Sequence, residues 1–328
     1  MTLSLKKLLF YFTISVSAIV FFVFISGIYF DIPRTELEGK YAKPPSQFLD
    51  LSDKTRIHYR DEGSSALPAL VLLHGANGSL FNFDRLSPLL KDDFRILTID
   101  LPAFGLTGAV PSSDYSIKSS FRVIDSVLEH LNIESLILGG NSMGGGVSWR
   151  YAIENPKRVK GLVLLSSSGV PSERSKRESS SKSRETPIVW KLMRSPLATN
   201  ILSIYTPKFF ATQGLKASVY DSSMATTEWA NQFHELTLLE GSRKAILSRM
   251  SSGYARNQNP ELLKDLAIPA LIIHGKEDNI IPVSSSENLV TFFQDGKLII
   301  YDDVGHLPMY EAPEKTAKDI KEFFYNRP

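Results

Sequence analysis

Residues Leu136-Ile137-Leu138-Gly139-Gly140-Asn141-Ser142-Met143-Gly144-Gly145-Gly146 decide how the chain is read. An apolar run suited to a buried strand ends in glycines, and a helical pattern follows at once. Between them lies Gly140-Asn141-Ser142-Met143-Gly144, a G-x-S-x-G sequence. A serine on so tight a strand-to-helix turn is held in a strained backbone conformation with its hydroxyl exposed. Side chains at the flanking positions would collide with the neighbouring strand and helix, hence the glycines. N–H groups at the start of the helix face the same point, where they can stabilise a developing oxyanion. A Ser-Gly turn without chemistry has the same letters, so the placement between strand and helix carries the reading.

Outward from this turn, short apolar runs alternate with helical patterns, the signature of a parallel sheet covered on both faces. Ala69–Leu73, Phe94–Ile99, Gly161–Leu165, Ala270–Ile273 and Lys297–Tyr301 read as strands. Ile117, Phe121, Ile124, Leu128 and Leu131 recur at helical spacing, and Ala317, Ile320, Phe323 and Phe324 mark a closing amphipathic helix. Phe48–Leu51 and Arg56–Tyr59 alternate as two antiparallel strands joined at Ser52-Asp53-Lys54. The alternation stops after residue 170. Residues 172–185 are polar and mildly basic, a solvated loop or, more sharply, a contact for anionic lipid headgroups. Residues 187–255 return to helical pattern with Trp190, Ile204, Tyr205, Phe209 and Phe210. The domain reading is a core in two parts, 47–170 and 256–328, interrupted by a helical cap over 171–255.

Composition bounds the function. The 328 residues carry 43% apolar and 22% charged side chains, ordinary for a large α/β unit with an insertion. A net charge of +2 without a basic, aromatic-interleaved stripe argues against a nucleic-acid partner. The absence of cysteine excludes disulfides, thiol catalysis and Cys-ligated zinc. The six histidines form no H-x-x-x-H or H-x-H pair, so neither a metal nor another cofactor is expected. Leu8 to Phe30 are 23 consecutive uncharged residues after Lys6 and Lys7. That length crosses a hydrocarbon core of about 30 Å. We read residues 1–30 as a tail and transmembrane anchor, with a cleaved signal peptide as the rival. Residues 31–46, with Pro33, Pro44 and Pro45 among charges, read as a linker. The short basic tail favours an inner-membrane protein with its globular part in the periplasm.

A serine hydroxyl becomes a useful nucleophile when a base takes its proton and a carboxylate orients that base. Strand 270–273 runs into His274-Gly275-Lys276-Glu277-Asp278-Asn279-Ile280-Ile281-Pro282. Strand 297–301 runs into Asp302-Asp303-Val304-Gly305-His306-Leu307-Pro308-Met309-Tyr310-Glu311. Ligands of a parallel α/β sheet bind beyond the carboxyl ends of its strands, so these groups face one crevice with Ser142. The order Ser, Asp, His is that of one hydrolase architecture.

At these residues the chain resembles the α/β-hydrolase fold family over essentially all of 47–328. The motifs concerned are His74-Gly75, Asp100-x-Pro102, the turn at Ser142, Gly275-x-x-Asp278-x-x-x-Pro282 and Gly305-His306. The resemblance implies a mostly parallel eight-stranded sheet with helices on both faces, an inserted cap and, ahead of it, the membrane helix. It implies Ser142 as nucleophile, His306 as general base and Asp278 as its orienting carboxylate, with Glu277 as rival to Asp278. Backbone N–H groups of Ala76 and Met143 would form the oxyanion hole, with His74, Gly75, Gly140 and Gly144 as supporting motif residues. Asp100, Asp302, Asp303, His58, His130, His234 and His274 are read as structural. Carboxylic-ester hydrolysis, of the lipase and monoacylglycerol lipase kind, is the expected activity. A C–C bond hydrolase of the meta-cleavage type, which shares a similar Gly-Asn-Ser-Met-Gly-Gly turn, and a silent binding domain are the alternatives. The expected partners are a small ester or lipid and the bilayer; oligomeric state is open.

Overall fold

The structure, a computed structural model, describes residues 5–169, 203–251 and 259–325. Eight strands form one sheet: β1 (Ser46–Asp50), β2 (Arg56–Glu62), β3 (Ala69–Leu73), β4 (Arg95–Ile99), β5 (Leu136–Asn141), β6 (Val159–Leu165), β7 (Pro269–Gly275) and β8 (Asp295–Tyr301). Their spatial order is β1-β2-β4-β3-β5-β6-β7-β8. β2 runs antiparallel to both β1 and β4, and all other neighbours are parallel. After β3 the chain steps to β4 on one side and then crosses to β5 on the other. The crevice of this sheet therefore opens between the ends of β3 and β5.

The helices among the described residues are α1 (Leu5–Ser26), α2 (Arg34–Tyr41), α3 (Ser87–Leu90), α4 (Ile117–His130), α5 (Met143–Glu154), α6 (Lys208–Ser218), α7 (Thr227–Thr237), α8 (Ser242–Ser251), α9 (Ser284–Val290), α10 (Pro308–Glu311) and α11 (Pro313–Tyr325). Alternate residues of β3 serve opposite cores, as strand geometry dictates. Val71 and Leu73 pack with Ile124, Val127 and Leu128 of α4 and Trp149 of α5. Leu70 and Leu72 belong to a second cluster with Leu86 of the α3 entry and Ile320 and Phe323 of α11. Burial on both sides explains why the central strands are apolar without alternation.

Between β6 and β7, the described residues 203–251 hold α6, α7 and α8, with no strand among them. Leu215, Val219, Trp229 and Ala230 join the second core cluster. The Trp229 ring stacks on Tyr310 with centroids 4.0 Å apart. The run at 172–185 and Trp190 fall outside the described residues.

Two N-terminal features differ from the sequence reading. The apolar run to Phe30 is not one helix, because α1 ends at Ser26. Gly27 lies against Tyr205 and Pro207, and the Tyr29 N–H donates to the Ile204 carbonyl at 2.9 Å. The remaining α1 stretch Leu9–Ser26 has a mean hydropathy of 2.3 and no burial, and it is long and apolar enough to cross a membrane. Within the stretch read as a linker, Arg34–Tyr41 folds into α2 behind Pro33. Its Leu37 is fully buried against Leu80, Phe81, Leu106, Leu236 and Leu239. Charged residues dominate α2, so a single leucine was a weak periodic signal.

Arg243 of α8 fastens the same segment, donating to Asp31 Oδ1 at 2.5 Å and to the Tyr29 carbonyl at 2.8 Å. Replacing Leu37 by Ala should lower unfolding free energy by about 2–5 kcal/mol, the usual range for a buried leucine. Urea denaturation checks this: an unchanged midpoint would show that α2 is not seated on the core.

Candidate active site

The elbow is built from backbone constraints. Ser142 takes φ 53° and ψ −116°, outside the regions open to side-chain-bearing residues. Its N–H donates to the Leu165 carbonyl at 3.0 Å, and its carbonyl accepts Ser168 N–H at 2.8 Å and Gly146 N–H at 3.0 Å. These bonds from β6 and α5 hold a conformation that costs on the order of 1–3 kcal/mol. A Cβ on Gly144 would overlap the Leu73 and His74 backbone, so the helix can start this close to β3 only with glycine there. Met143 opens α5, whose first N–H groups lack intrahelical partners.

The loop after β3 rests on this elbow. A Cβ on Gly75 would stand 2.9 Å from Asn141 Oδ1 and 3.2 Å from Ser142 Cβ, so glycine lets this loop lie close against the elbow. His74, wholly buried, donates from Nδ1 to the Gly75 carbonyl at 2.7 Å and accepts Leu101 N–H at Nε2 at 3.0 Å. Burial lowers its pKa, which favours the neutral ring that this acceptor role requires. Asp100 accepts Leu80 N–H and Leu106 N–H, both at 2.7 Å, and His58 Nδ1–H at 2.6 Å. Burial pushes its carboxyl up, but the His58 charge and hydrogen bond, His74 and the Leu80 N–H leave it below the usual carboxylate range. Asp100, His58 and His74 thus form the frame of the loop rather than reacting groups.

The other two candidates meet across the ends of β7 and β8. Gly275 lies so near the Val304 and Gly305 carbonyls that a Cβ would overlap them, letting the two turns approach. His306 Nδ1 donates to Asp278 Oδ2 at 2.7 Å, while Asp278 Oδ1 accepts Ile280 N–H at 2.7 Å and Ile281 N–H at 2.9 Å. Burial raises the Asp278 carboxyl, yet the hydrogen bonds from His274 and His306, the His306 charge and the Ile281 N–H outweigh it and hold the group ionised well below its ordinary pKa. With Nδ1 engaged, Nε2 is the His306 nitrogen left for proton exchange. Asn141, the residue before Ser142, donates from Nδ2 to the His306 carbonyl at 2.9 Å and to the Leu165 carbonyl at 3.1 Å. One side chain thus ties the histidine turn to the elbow.

Glu277 points elsewhere and accepts Val304 N–H at 3.2 Å. Asp302 pairs with Lys276 at 2.5 Å on the surface. His234 is buried in the cap, where it donates to the Thr206 carbonyl at 2.7 Å and meets the Tyr29 ring edge-on. His130 lies edge-on to Tyr59. His274 is buried as well, but it lies on the site: Nε2 is 3.0 Å from the Ile281 carbonyl and 3.2 Å from Asp278 Oδ2, and Nδ1 is 2.7 Å from Ser286 Oγ. Neither its contact with Asp278 nor the part of Asn141 was read from sequence. Both stand inside the quoted motifs, at the positions preceding Gly275 and Ser142.

A cavity of about 260 Å³ adjoins the loop after β3 at Asn77 and is walled by the cap through Tyr205, Pro207, Phe210, Phe233 and Ile246. A larger cleft of about 460 Å³ lies under the opposite ends of the strands, between Ala69, Phe94, Leu136 and Tyr325, away from these groups.

Comparison with known proteins places the fold in a family. The family model for the alpha/beta hydrolase fold matches residues 68–313, and the chain belongs to that family. It is a hydrolase by that membership. It is similar to Lipase 1 of Psychrobacter immobilis, with 26% identity over 84% of this chain and 82% of that one. It is equally similar, at 26% identity over 86% of this chain and 96% of that one, to a 2-hydroxy-6-oxononadienedioate/2-hydroxy-6-oxononatrienedioate hydrolase of Cupriavidus pinatubonensis. Among solved structures, a bacterial membrane phospholipase A shares the fold with a TM-score of 0.69 at 21% identity, covering 98% of this chain and 99% of that one.

Because its folded pKa is depressed, Asp278 contributes stability that is full above the ordinary carboxylate pKa and lost as pH falls toward the folded value. The stability advantage of the native chain over Asp278→Asn should therefore be largest near neutrality and shrink in acid below about pH 4. Urea midpoints across pH test this; a constant difference would contradict an ionised, hydrogen-bonded Asp278.

Proposed function

We propose that the protein is a membrane-anchored serine hydrolase of carboxylic esters with an apolar acyl group. The carrying observation is the 2.7 Å bond between His306 and Asp278 on a turn whose carbonyl is held by the neighbour of Ser142. In the reaction, Ser142 Oγ attacks the ester carbonyl carbon as its proton passes to His306 Nε2. The negative oxygen that forms is met by the N–H groups of Ala76 and Met143. Collapse expels the alcohol, which takes the proton from His306. A water molecule, deprotonated by His306, then attacks the acyl-enzyme, and the returning proton restores Ser142 as the acid leaves. Asp278 orients the ring and stabilises its cationic form.

Two observations favour an apolar ester over the meta-cleavage alternative. Among the described residues lining the cavity at Asn77, the one permanent cation is Arg243, and its guanidinium is committed to Asp31 and the Tyr29 carbonyl. It therefore leaves no free charge there for a dicarboxylate. Beside that cavity, Phe209 and Phe210 are more than 60% exposed. They follow Tyr205, which stacks on Phe24 of α1 with centroids 5.1 Å apart. In this reading α1 is the anchor, and those rings lie where an acyl chain would leave the bilayer.

Ser142→Ala should abolish turnover of a chain-length series of nitrophenyl esters and of monoacylglycerol, together with fluorophosphonate labelling. Ester-silent native protein that cleaves a coloured ring-fission product would instead establish the C–C hydrolase. Substituting Ser for both Phe209 and Phe210 should cut long-chain activity on vesicles several-fold and spare a short soluble ester. Equal losses on both would remove the acyl-facing role of α6.

A further inference from the structure

The backbone of the histidine turn is held from two sides, and only one of them is the elbow. On the other side stands a single carboxylate, Glu311, the last residue of α10. Its Oε2 accepts the N–H of Gly305 at 3.0 Å, and its Oε1 accepts the N–H of Leu307 at 3.0 Å. The N–H between them, that of His306, donates to the Ser218 carbonyl at the end of α6 at 2.8 Å. Glu311 Oε2 also accepts the N–H of Tyr220, two residues further along the cap, at 2.7 Å. The cap backbone lies directly on this turn: a Cβ on Gly305 would be 2.8 Å from Tyr220 N and 2.9 Å from the Val219 carbonyl carbon.

From this arrangement we infer that Glu311 is a positioning residue for His306, and that it fastens the end of cap helix α6 to the catalytic turn. The inference rests on His306 being the general base. An ionised carboxylate accepting three N–H groups forms charge-assisted bonds, stronger than bonds to a neutral acceptor. Its two oxygens divide the work: both flank His306, and one also reaches the cap. Rigid helix α6 carries Phe209 and Phe210 in its first turn and the Ser218 carbonyl at its end. A displacement of the cap is therefore passed to the backbone of His306 through Ser218 and Glu311. Asn141 and Asp278 fix the carbonyl and ring of the same residue. Glu311 completes the set by fixing the peptide units on either side.

Glu311→Gln keeps the shape but replaces one acceptor oxygen with an N–H₂ group facing an N–H donor. The expected result is a fall in kcat of about 10- to 100-fold on a short soluble ester, the scale of a misplaced catalytic group, with KM within about twofold. Fluorophosphonate labelling of Ser142 should slow in proportion. Glu311→Asp, which keeps the charge but shortens the reach, should give an intermediate loss. Glu314→Gln, exposed on α11, should change nothing. Tyr220→Pro deletes the N–H from the cap alone; it should cost several-fold in kcat by itself and nothing further in the Glu311→Gln background. Multiplying losses would overturn the coupling between cap and turn. Unchanged kcat in both Glu311 variants, with Ser142→Ala inactive, would overturn the positioning role while leaving the serine mechanism intact. An active Ser142→Ala would instead remove the mechanism on which the inference rests. Should Glu311→Gln fail to fold, Glu311→Asp and Tyr220→Pro give the same decision.

Discussion

The left-handed backbone of Ser142 is the constraint on which the rest of the site depends. A side-chain-bearing residue adopts φ 53° only when its surroundings leave no cheaper path. Here β6 and α5 occupy its amide and carbonyl, and the backbone of β3 presses close enough to require glycine at 144. The strain is thus offset by the packing of the central sheet. Buried apolar strands supply that packing, and they fix where β3 and β5 end. The loop of Ala76 and the side chain of Asn141 inherit their places from those strand ends.

Asp100 and Asp278, whose side chains are both buried at this end of the sheet, each hold histidines and do different things. His58 and Asp100 are both fully buried, and the carboxylate is spent on backbone donors that shape the loop over the elbow. The His306 and Asp278 pair has nearly the same bond length, and in both pairs Nδ1 meets the carboxylate and leaves Nε2 clear of it. Position relative to Ser142, not the strength of the pair, singles out His306 as the candidate for proton exchange. His274 adds a second ring to Asp278, so that carboxylate is shared between two histidines.

The sheet was legible in the sequence because its central strands are short apolar runs ending in glycine-rich turns, and physical burial on both faces demands that pattern. The site was legible for a related reason: Ser142, Asp278 and His306 each follow such a run, and topology delivers all strand ends to one crevice. What escaped the reading is interaction at long sequence separation. Leu37 lies alone among charges in α2, and its partners Leu236 and Leu239 come some two hundred residues later. Glu311 was in view within the quoted Gly305–Glu311 stretch. Two of its N–H donors are local, but the third, from Tyr220, is met only once the cap has been folded onto the turn. Periodicity reports which face a residue turns inward, not which distant backbone it meets.

The seating of α2 also divides the molecule at an unexpected point. Proline and charge content mark residues 31–46 as a linker, but α2 within it is seated on the hydrolase core through Leu37. Cleavage beyond α2 would strip the lid from Leu80, Phe81, Leu106, Leu236 and Leu239 and leave an oily scar across the core and the cap. A cut just after Ser26 leaves the Leu37 contacts whole, whereas a cut at the prolines removes them.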